Sequence, residues 1–145
     1  MSPSVGILVG SQSDLPVVEK CTARLEDLSV DHELEVLSAH RNPDAVAEYV
    51  ASAPGRGVKV FICAAGMAAH LAGAVAARTN LPVIGIPISA GPLNGFDALL
   101  ATVQMPSGVP VATVAVNGAA NAGVLAAQIL ALSDSELAER MEGGP

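Results

Sequence analysis

The chain has little charge and almost no aromatic side chains. Of its 145 residues, 14% are charged and 2% are aromatic, with no tryptophan, whereas 51% are hydrophobic. The apolar content therefore comes from Ala, Val, Leu and Ile, and small side chains allow helices and strands to approach closely. A surface poor in charge is also hard to keep soluble as a monomer. This composition indicates tight packing, self-association, or both.

The sequence also lacks the marks of several functional classes. The formal net charge of −7 argues against nucleic acid or an anionic membrane as a partner, because both bind basic patches. No apolar run approaches the ~20 residues of a membrane span, and the first residues do not resemble a signal peptide. Cys21 and Cys63 belong to no CxxC motif or Cys/His cluster. We therefore expect free thiols, no metal, and a cytoplasmic protein.

Hydrophobic patterning predicts strands that alternate with helices. Strands are expected at 5–9, 33–37, 58–64, 83–86 and 111–116, and helices at 15–28, 43–53, 68–78, 96–103 and 119–132, with a last helix starting near 133–136. The strands read as buried on both faces, and the helix at 119–132 is apolar on nearly every side, which suggests burial on both. This pattern is typical of one three-layer α/β domain over residues 1–145, a parallel sheet with helices on both faces.

Polar and small residues follow the first three strands, at the sheet edge where such folds bind ligands. After strand 1, GSQSD at 10–14 offers a close backbone approach, two hydroxyls and a helix start that suits phosphate. After strand 2, SAHRNP at 38–43 places two functional groups side by side. The imidazole can exchange protons, and the guanidinium can bind phosphate. After strand 3, AAGMAAHLAG at 64–73 combines small residues with a second histidine. Each segment also fits a purely structural role, as a capped helix start, a solvated turn or tight packing.

Five motifs occur together in order and spacing. They are GSxSD at 10–14, SAHRxPD at 38–44, AAHL at 68–71, QMPxGxP at 104–110 and NAxxLAAQIL at 121–130. Together they resemble the N5-carboxyaminoimidazole ribonucleotide mutases, small enzymes of purine biosynthesis, over nearly the whole chain. The resemblance implies a flavodoxin-like fold, a homo-octamer with active sites between subunits, a ribonucleotide substrate and no cofactor.

The resemblance also implies roles for individual residues. His40 matches the catalytic general acid and base, and His70 a second active-site histidine. Ser11, Ser38 and Arg41 would hold the substrate phosphate, and Asp14 the ribose hydroxyls. The remaining implied substrate-binding residues are Gly10, Ser13, Ala39, Gly66, Ala69 and Leu71.

The chain departs from the family pattern near the expected base pocket. Family members often have Gly where this chain has Met67, Pro where it has Ala72, and Ala-Leu-Ser-Gly in the loop at 91–95. A related branch that carboxylates the ribonucleotide directly typically has Arg-Ser-Asn in place of the Ala-Ala-His at 68–70, so this chain favours the mutase. A non-catalytic sensor of purine intermediates and a paralogue for another heterocycle remain alternatives. A receiver domain is not expected, because Ala-Ala-Gly at 64–66 replaces its phosphorylatable Asp.

Overall fold

The secondary structure follows the predicted alternation. A computed structural model of the chain describes residues 2–143, so residues 1, 144 and 145 of the expected domain lie outside the described part. The strands are β1 Val5–Val9, β2 His32–Val36, β3 Val60–Gly66, β4 Val83–Ile88 and β5 Ala112–Thr113. The α-helices are α1 Leu15–Asp27, α2 Pro43–Ser52, α3 Leu71–Ala76, α4 Phe96–Val103, α5 Ala119–Ala131 and α6 Ser135–Met141, with short 3-10 turns at Gln12–Asp14 and Ala53–Arg56.

The five strands form one parallel sheet in the order β2-β1-β3-β4-β5. The chain thus moves outward from β1 to β2, then crosses back over β1 to β3 and continues the other way. In register, Val9 at the end of β1 lies beside Val36 on β2 and Ala64 on β3. The segments that follow these three strands therefore emerge side by side at the carboxyl edge. A reversal of this kind leaves a crevice between the diverging connections, which is where open α/β sheets bind ligands.

Apolar side chains fill both faces of the sheet. Because side chains alternate along a strand, Val5, Ile7 and Val9 point to one layer of helices and Leu8 points to the other. The first layer packs residues of α1, α5 and α6, and the second packs residues of α2 and α3. Both layers close over the central strands, and every residue of β1 is buried. The predicted three-layer, flavodoxin-like class is confirmed.

Small residues allow α5 to lie directly on α1. A Cβ added to Gly123 on α5 would stand 2.9 Å from the backbone oxygen of Cys21 on α1, too close for any side chain. Ala119, Ala122 and Ala126 extend this buried contact. The alanine-rich composition thus has a packing cause. The expected burial of α5 on both sides is not met within the chain, where the other side of the helix is half-buried or exposed.

Other expectations differ from the structure at the sheet edges and one helix start. The edge strand β2 is half-buried at two residues and exposed at the other three rather than buried, because only β1 pairs with it. The strand expected at 111–116 shortens to the two residues of β5. The helix expected at 68–78 begins only at Leu71, since Met67 takes a left-handed backbone conformation (φ 56°) that ends the preceding segment.

Candidate active site

A cleft of about 120 Å³ opens at the carboxyl edge of the sheet, above β1 and β3. It lies at the reversal of strand order described above. Its walls come from the segments that follow β1, β2 and β3. The lining residues are Gly10, Ser11, Asp14, Ser38, Ala39, His40, Ala65, Gly66, Ala68, His70 and Leu71. Other surface hollows are larger, including one of about 710 Å³, but that hollow contains neither of the histidines that follow strands 2 and 3.

The segment after β1 supplies hydroxyls and one carboxylate. Ser11 caps the short 3-10 turn, and its Oγ accepts the backbone N–H of Ser13 at 3.3 Å and lies 2.9 Å from the Ser13 hydroxyl. Asp14, which is 7% exposed, follows at the start of α1. Burial raises the pKa of the Asp14 carboxyl above its usual value, because desolvation disfavours the charged form. A ligand hydroxyl that hydrogen-bonds to this carboxylate would relieve that cost.

The segment after β2 is a tight turn that presents His40. The backbone N–H of Leu37 donates to Val9 O at 2.9 Å, which extends the strand pairing to the rim of the cleft. Ser38 Oγ then accepts the backbone N–H of Arg41 at 3.2 Å and closes the turn. His40 lines the cleft with an exposed side chain, so its imidazole is accessible to a ligand. The exposed Arg41 lies on the same turn but outside the lining, where its flexible side chain could reach a phosphate.

The segment after β3 forms a wall of small residues. Gly66 ends the strand, and a Cβ there would stand 3.0 Å from the Ala90 side chain and 3.3 Å from Ile88 O, so the loop after β4 packs closely against it. Ala65, Gly66 and Ala68 line the cleft, whereas Ala69 is buried behind it. The resulting wall is narrow and largely apolar.

His70 is held at the start of α3 by contacts with α4. Its Nδ1 lies 3.3 Å from the carbonyl oxygen of Ala101 in the last turn of α4. The buried hydroxyl of Thr102 donates to the carbonyl of Ala69, the preceding residue, at 3.2 Å. The imidazole also lies over Gly73, one turn further along α3. His70 is thus fixed from two elements.

The cleft brings together most, but not all, of the residues that the sequence nominated. Ser13, Arg41 and Ala69 adjoin it without lining it. Ala65 and Ala68 also line the cleft; they carry no functional group, and the sequence predicted them only as part of the segment of small residues at 64–73. The third histidine, His32, lies outside the cleft at the start of β2, where it is half-buried with Nδ1 3.1 Å from Val30 O. Within residues 2–143, no group of three or more His, Cys, Asp or Glu side chains is arranged to hold a metal ion, and no helix has both the length and the apolarity to cross a membrane.

The strand order defines an α/β protein of the flavodoxin-like class, and the cleft at the reversal between β1 and β3 is its candidate small-molecule site. The sequence profile of the AIR carboxylase family matches residues 4–143. The chain belongs to this family, and the predictions of the family and of an enzyme are confirmed.

Two relatives and one solved structure illustrate the similarity. The N5-carboxyaminoimidazole ribonucleotide mutase of Thermotoga maritima is 52% identical over 140 residues, which cover 97% of this chain and 82% of that protein. The phosphoribosylaminoimidazole carboxylase of Saccharomyces cerevisiae is 50% identical over 142 residues, which cover 98% of this chain but 25% of that protein. A crystal structure of Treponema denticola PurE matches with a TM-score of 0.88 at 30% identity, over 97% of this chain and 88% of that one.

Proposed function

We propose that this protein converts N5-carboxyaminoimidazole ribonucleotide to 4-carboxy-5-aminoimidazole ribonucleotide, a step of purine biosynthesis. The single observation that supports this most strongly is the meeting of His40, His70 and Asp14 in one cleft at the strand-order reversal. Relatives that share about half of the residues over nearly the full chain bear the name of this activity. The wall of small residues suits a flat heterocycle.

The cleft offers complementary groups for each part of the substrate. In the proposed binding mode, the hydroxyls of Ser11 and Ser38 and the guanidinium of Arg41 hold the phosphate at the start of α1, where helix N–H groups favour an anion. Asp14 accepts hydrogen bonds from the ribose hydroxyls. The base then lies along the wall at 65–71. The dissociated phosphate and the carbamate are anionic, so these local donors must act against the overall charge of −7.

The reaction needs one proton donated and one proton accepted. In the proposed mechanism, His40 as imidazolium protonates N5, the N5–carboxylate bond breaks, and carbon dioxide is released into the cleft. The electron-rich C4 of the aminoimidazole attacks the carbon dioxide, and neutral His40 removes the C4 proton to restore aromaticity. The histidine ends as it began, and no metal, nucleotide cofactor or ATP is required. Imidazole is suited to both transfers near neutral pH. Small apolar walls around the trapped carbon dioxide would favour recapture over escape.

The test is to mix the protein with N5-carboxyaminoimidazole ribonucleotide, without ATP or added bicarbonate, and to follow the ultraviolet absorbance of the C4-carboxylated product. We expect rapid product formation that is lost in His40→Asn while ligand binding persists. His32→Asn, a change outside the cleft, is the matched control and should stay active. Full activity in His40→Asn would contradict the assigned role.

A second assay, with aminoimidazole ribonucleotide and bicarbonate as substrates, separates the alternative functions. Product from aminoimidazole ribonucleotide and bicarbonate, but none from the N5-carboxylated substrate, would make the protein a direct carboxylase. Binding of the ribonucleotide with no reaction in either assay would point to a sensor. Rejection of both ribonucleotides would point to a paralogue that acts on another heterocycle.

The proposed assembly is a homo-octamer that joins copies near the cleft. Phe96, Leu100 and Val103 form an apolar stripe on the outer face of α4, with exposures of 62%, 43% and 41%. Leu93, shortly before α4, and Met67, in the loop after β3, are also exposed, at 58% and 54%. Several exposed large apolar side chains on one helix face are typical of an interface. The position of the stripe on the helix that holds His70 would place the contact beside the active site.

Light scattering tests the assembly. We expect a mass near eight times the 14.5 kDa of the chain. Phe96→Glu should lower that mass, because it places a charge in the stripe. Leu132→Glu, at an isolated residue with 88% exposure, is the control and should not. A monomeric parent protein would contradict the proposal. Cytoplasmic localisation stays a prediction, in keeping with two buried free thiols.

A further inference from the structure

The contacts of His70 determine which ring nitrogen carries the proton when the ring is neutral. A neutral imidazole has one N–H and one bare nitrogen. Because the carbonyl oxygen of Ala101 can only accept, Nδ1 at 3.3 Å from it must be the protonated nitrogen in a neutral ring. The bare nitrogen is then Nε2. The Ala101 carbonyl lies in the last turn of α4, where helix carbonyls lack partners within the helix and attract donors.

A buried hydroxyl on the next residue of α4 supports this contact. Thr102 is 2% exposed, and its Oγ1 donates to the carbonyl of Ala69 at 3.2 Å. Ala101 therefore contacts His70, and the next residue, Thr102, contacts Ala69, which precedes His70. The Thr102 methyl group is itself packed onto β4, since a Cβ on Gly85 would collide with it. Thr102 thus links the segment that carries the imidazole to the central sheet.

Gly73 provides the space that the imidazole occupies. A Cβ on Gly73 would collide with Cε1 of the His70 ring and would stand 2.6 Å from Nε2 and 2.8 Å from Nδ1. Gly73 lies inside α3 and has an ordinary negative φ, so its glycine identity is not needed for the backbone. Glycine inside a helix costs about 0.5–1 kcal/mol of stability relative to alanine, so the helix by itself would favour alanine here.

We propose that Thr102 and Gly73 are positioning residues for His70, and that they hold it as the Nδ1–H tautomer with a bare Nε2 available to the substrate. What Nε2 then does rests on the proposed function: a bare nitrogen can accept a hydrogen bond from the aminoimidazole during the transfer. The tautomer itself depends only on the contacts above.

The tautomer is tested directly by nitrogen-15 solid-state NMR on histidine-labelled protein. The chain contains only three histidines, His32, His40 and His70, and His32→Gln and His70→Gln assign their signals. Spectra are recorded over a series of alkaline pH values, and the tautomer is read where only one nitrogen of the ring carries a proton. We expect protonated Nδ1 and bare Nε2 for His70 in the parent protein. The opposite tautomer would overturn the proposal.

Gly73→Ala is the decisive variant. The new methyl group must displace the ring, so we expect the Nδ1–H signal of His70 to be lost and kcat to fall about 100-fold, the scale of a 1 Å misplacement in an active site. Gly55→Ala is the matched control, because nothing lies within 4 Å of the added methyl group. It should leave both the signal and the rate unchanged. A Gly73→Ala protein with the parent tautomer and rate would overturn the role of Gly73.

Thr102→Val tests the second contact with little change of shape. Loss of the hydroxyl releases the Ala69 carbonyl, and we expect kcat to fall about 10-fold with little change in KM. Thr102→Ser keeps the hydroxyl and should retain the tautomer and most of the rate. Equal effects of Val and Ser would show that Thr102 acts only through packing, and would overturn its positioning role. If the parent protein has no mutase activity, the proposed function fails while the NMR result still decides the tautomer.

Discussion

Removal of the only tyrosine hydroxyl in the chain should loosen the edge strand that leads to His40. Tyr49 on α2 is 6% exposed, and its hydroxyl donates to Glu33 Oε1 on β2 at 2.8 Å. Arg56 donates to the same carboxylate through Nη2 at 2.7 Å and Nε at 3.1 Å. The guanidinium also lies 5.3 Å from the centre of the Tyr49 ring. This cluster joins β2 to the helix layer that covers one face of the sheet.

The cost of Tyr49→Phe can be worked out from these contacts. A hydrogen bond to a charged group contributes about 1.5–3 kcal/mol to stability. The lower end applies, because the Glu33 side chain is 28% exposed and keeps Arg56 as a partner. We therefore expect a loss of about 1.5 kcal/mol, with a fall in Tm of roughly 3–6 °C for a chain of this size. The hydroxyl also fills the space above Gly6, where a Cβ would stand 2.6 Å from it, so a small void adds to the loss.

The loss should depend on pH. The hydrogen bond from Arg56 is the main reason that the pKa of Glu33 lies below its ordinary value of 4.5, and the Tyr49 hydroxyl lowers it further. A carboxyl with a lowered pKa stabilises the fold above its unfolded pKa, and this contribution disappears as the pH falls through the folded value. The difference between Tyr49→Phe and the parent should therefore be complete at neutral pH and should shrink below about pH 4.5.

Urea unfolding of the parent and variant at neutral and acidic pH measures this, at one chain concentration and with the assembly mass checked. Glu33→Ala supplies the control background. Tyr49→Phe should cost less than about 0.5 kcal/mol there, because the acceptor is gone. An equal loss with and without Glu33 would show that the Tyr49 hydroxyl does not act through this carboxylate, and so would a loss that stays constant into the acid range.

Two further predictions concern the thiols and the turn beside the cleft. Burial raises the pKa of Cys21 to about 12 and also raises that of Cys63. Thiol reagents should therefore label the folded protein at mildly alkaline pH no faster than local or global unfolding exposes each thiol. Rapid labelling of either thiol would contradict this. Met67→Gly should raise the free energy of unfolding by about 0.5–1 kcal/mol in urea titrations, because Met67 has φ 56° and glycine adopts that conformation without strain. Ala68→Gly, at an ordinary φ, is the control and should lower stability; a loss in both variants would refute the strain at Met67.

The patterns that the sequence determined by itself are local ones. Short apolar runs that alternate with segments of helical periodicity predicted the five strands and six α-helices of the described residues. A buried parallel strand must be apolar on both faces, and the helix that connects it to the next strand must be amphipathic. β1 at Val5–Val9 and α4 at Phe96–Val103 have the predicted bounds. Motif order identified the family. Since ligands bind at the carboxyl ends of strands, the same reasoning located most of the cleft-lining residues.

Tertiary structure decided the remaining features, because they depend on partners distant in the chain. β2 is exposed since it has one neighbour, and its sequence does not show which strand lies at an edge. The cleft exists because β1 and β3 are adjacent, which brings Asp14, His40 and His70 together. The tautomer of His70 depends on Ala101, 31 residues away. Gly73 reads from sequence as one more small residue in a helix, and only the packed imidazole above it shows why a side chain has no room there.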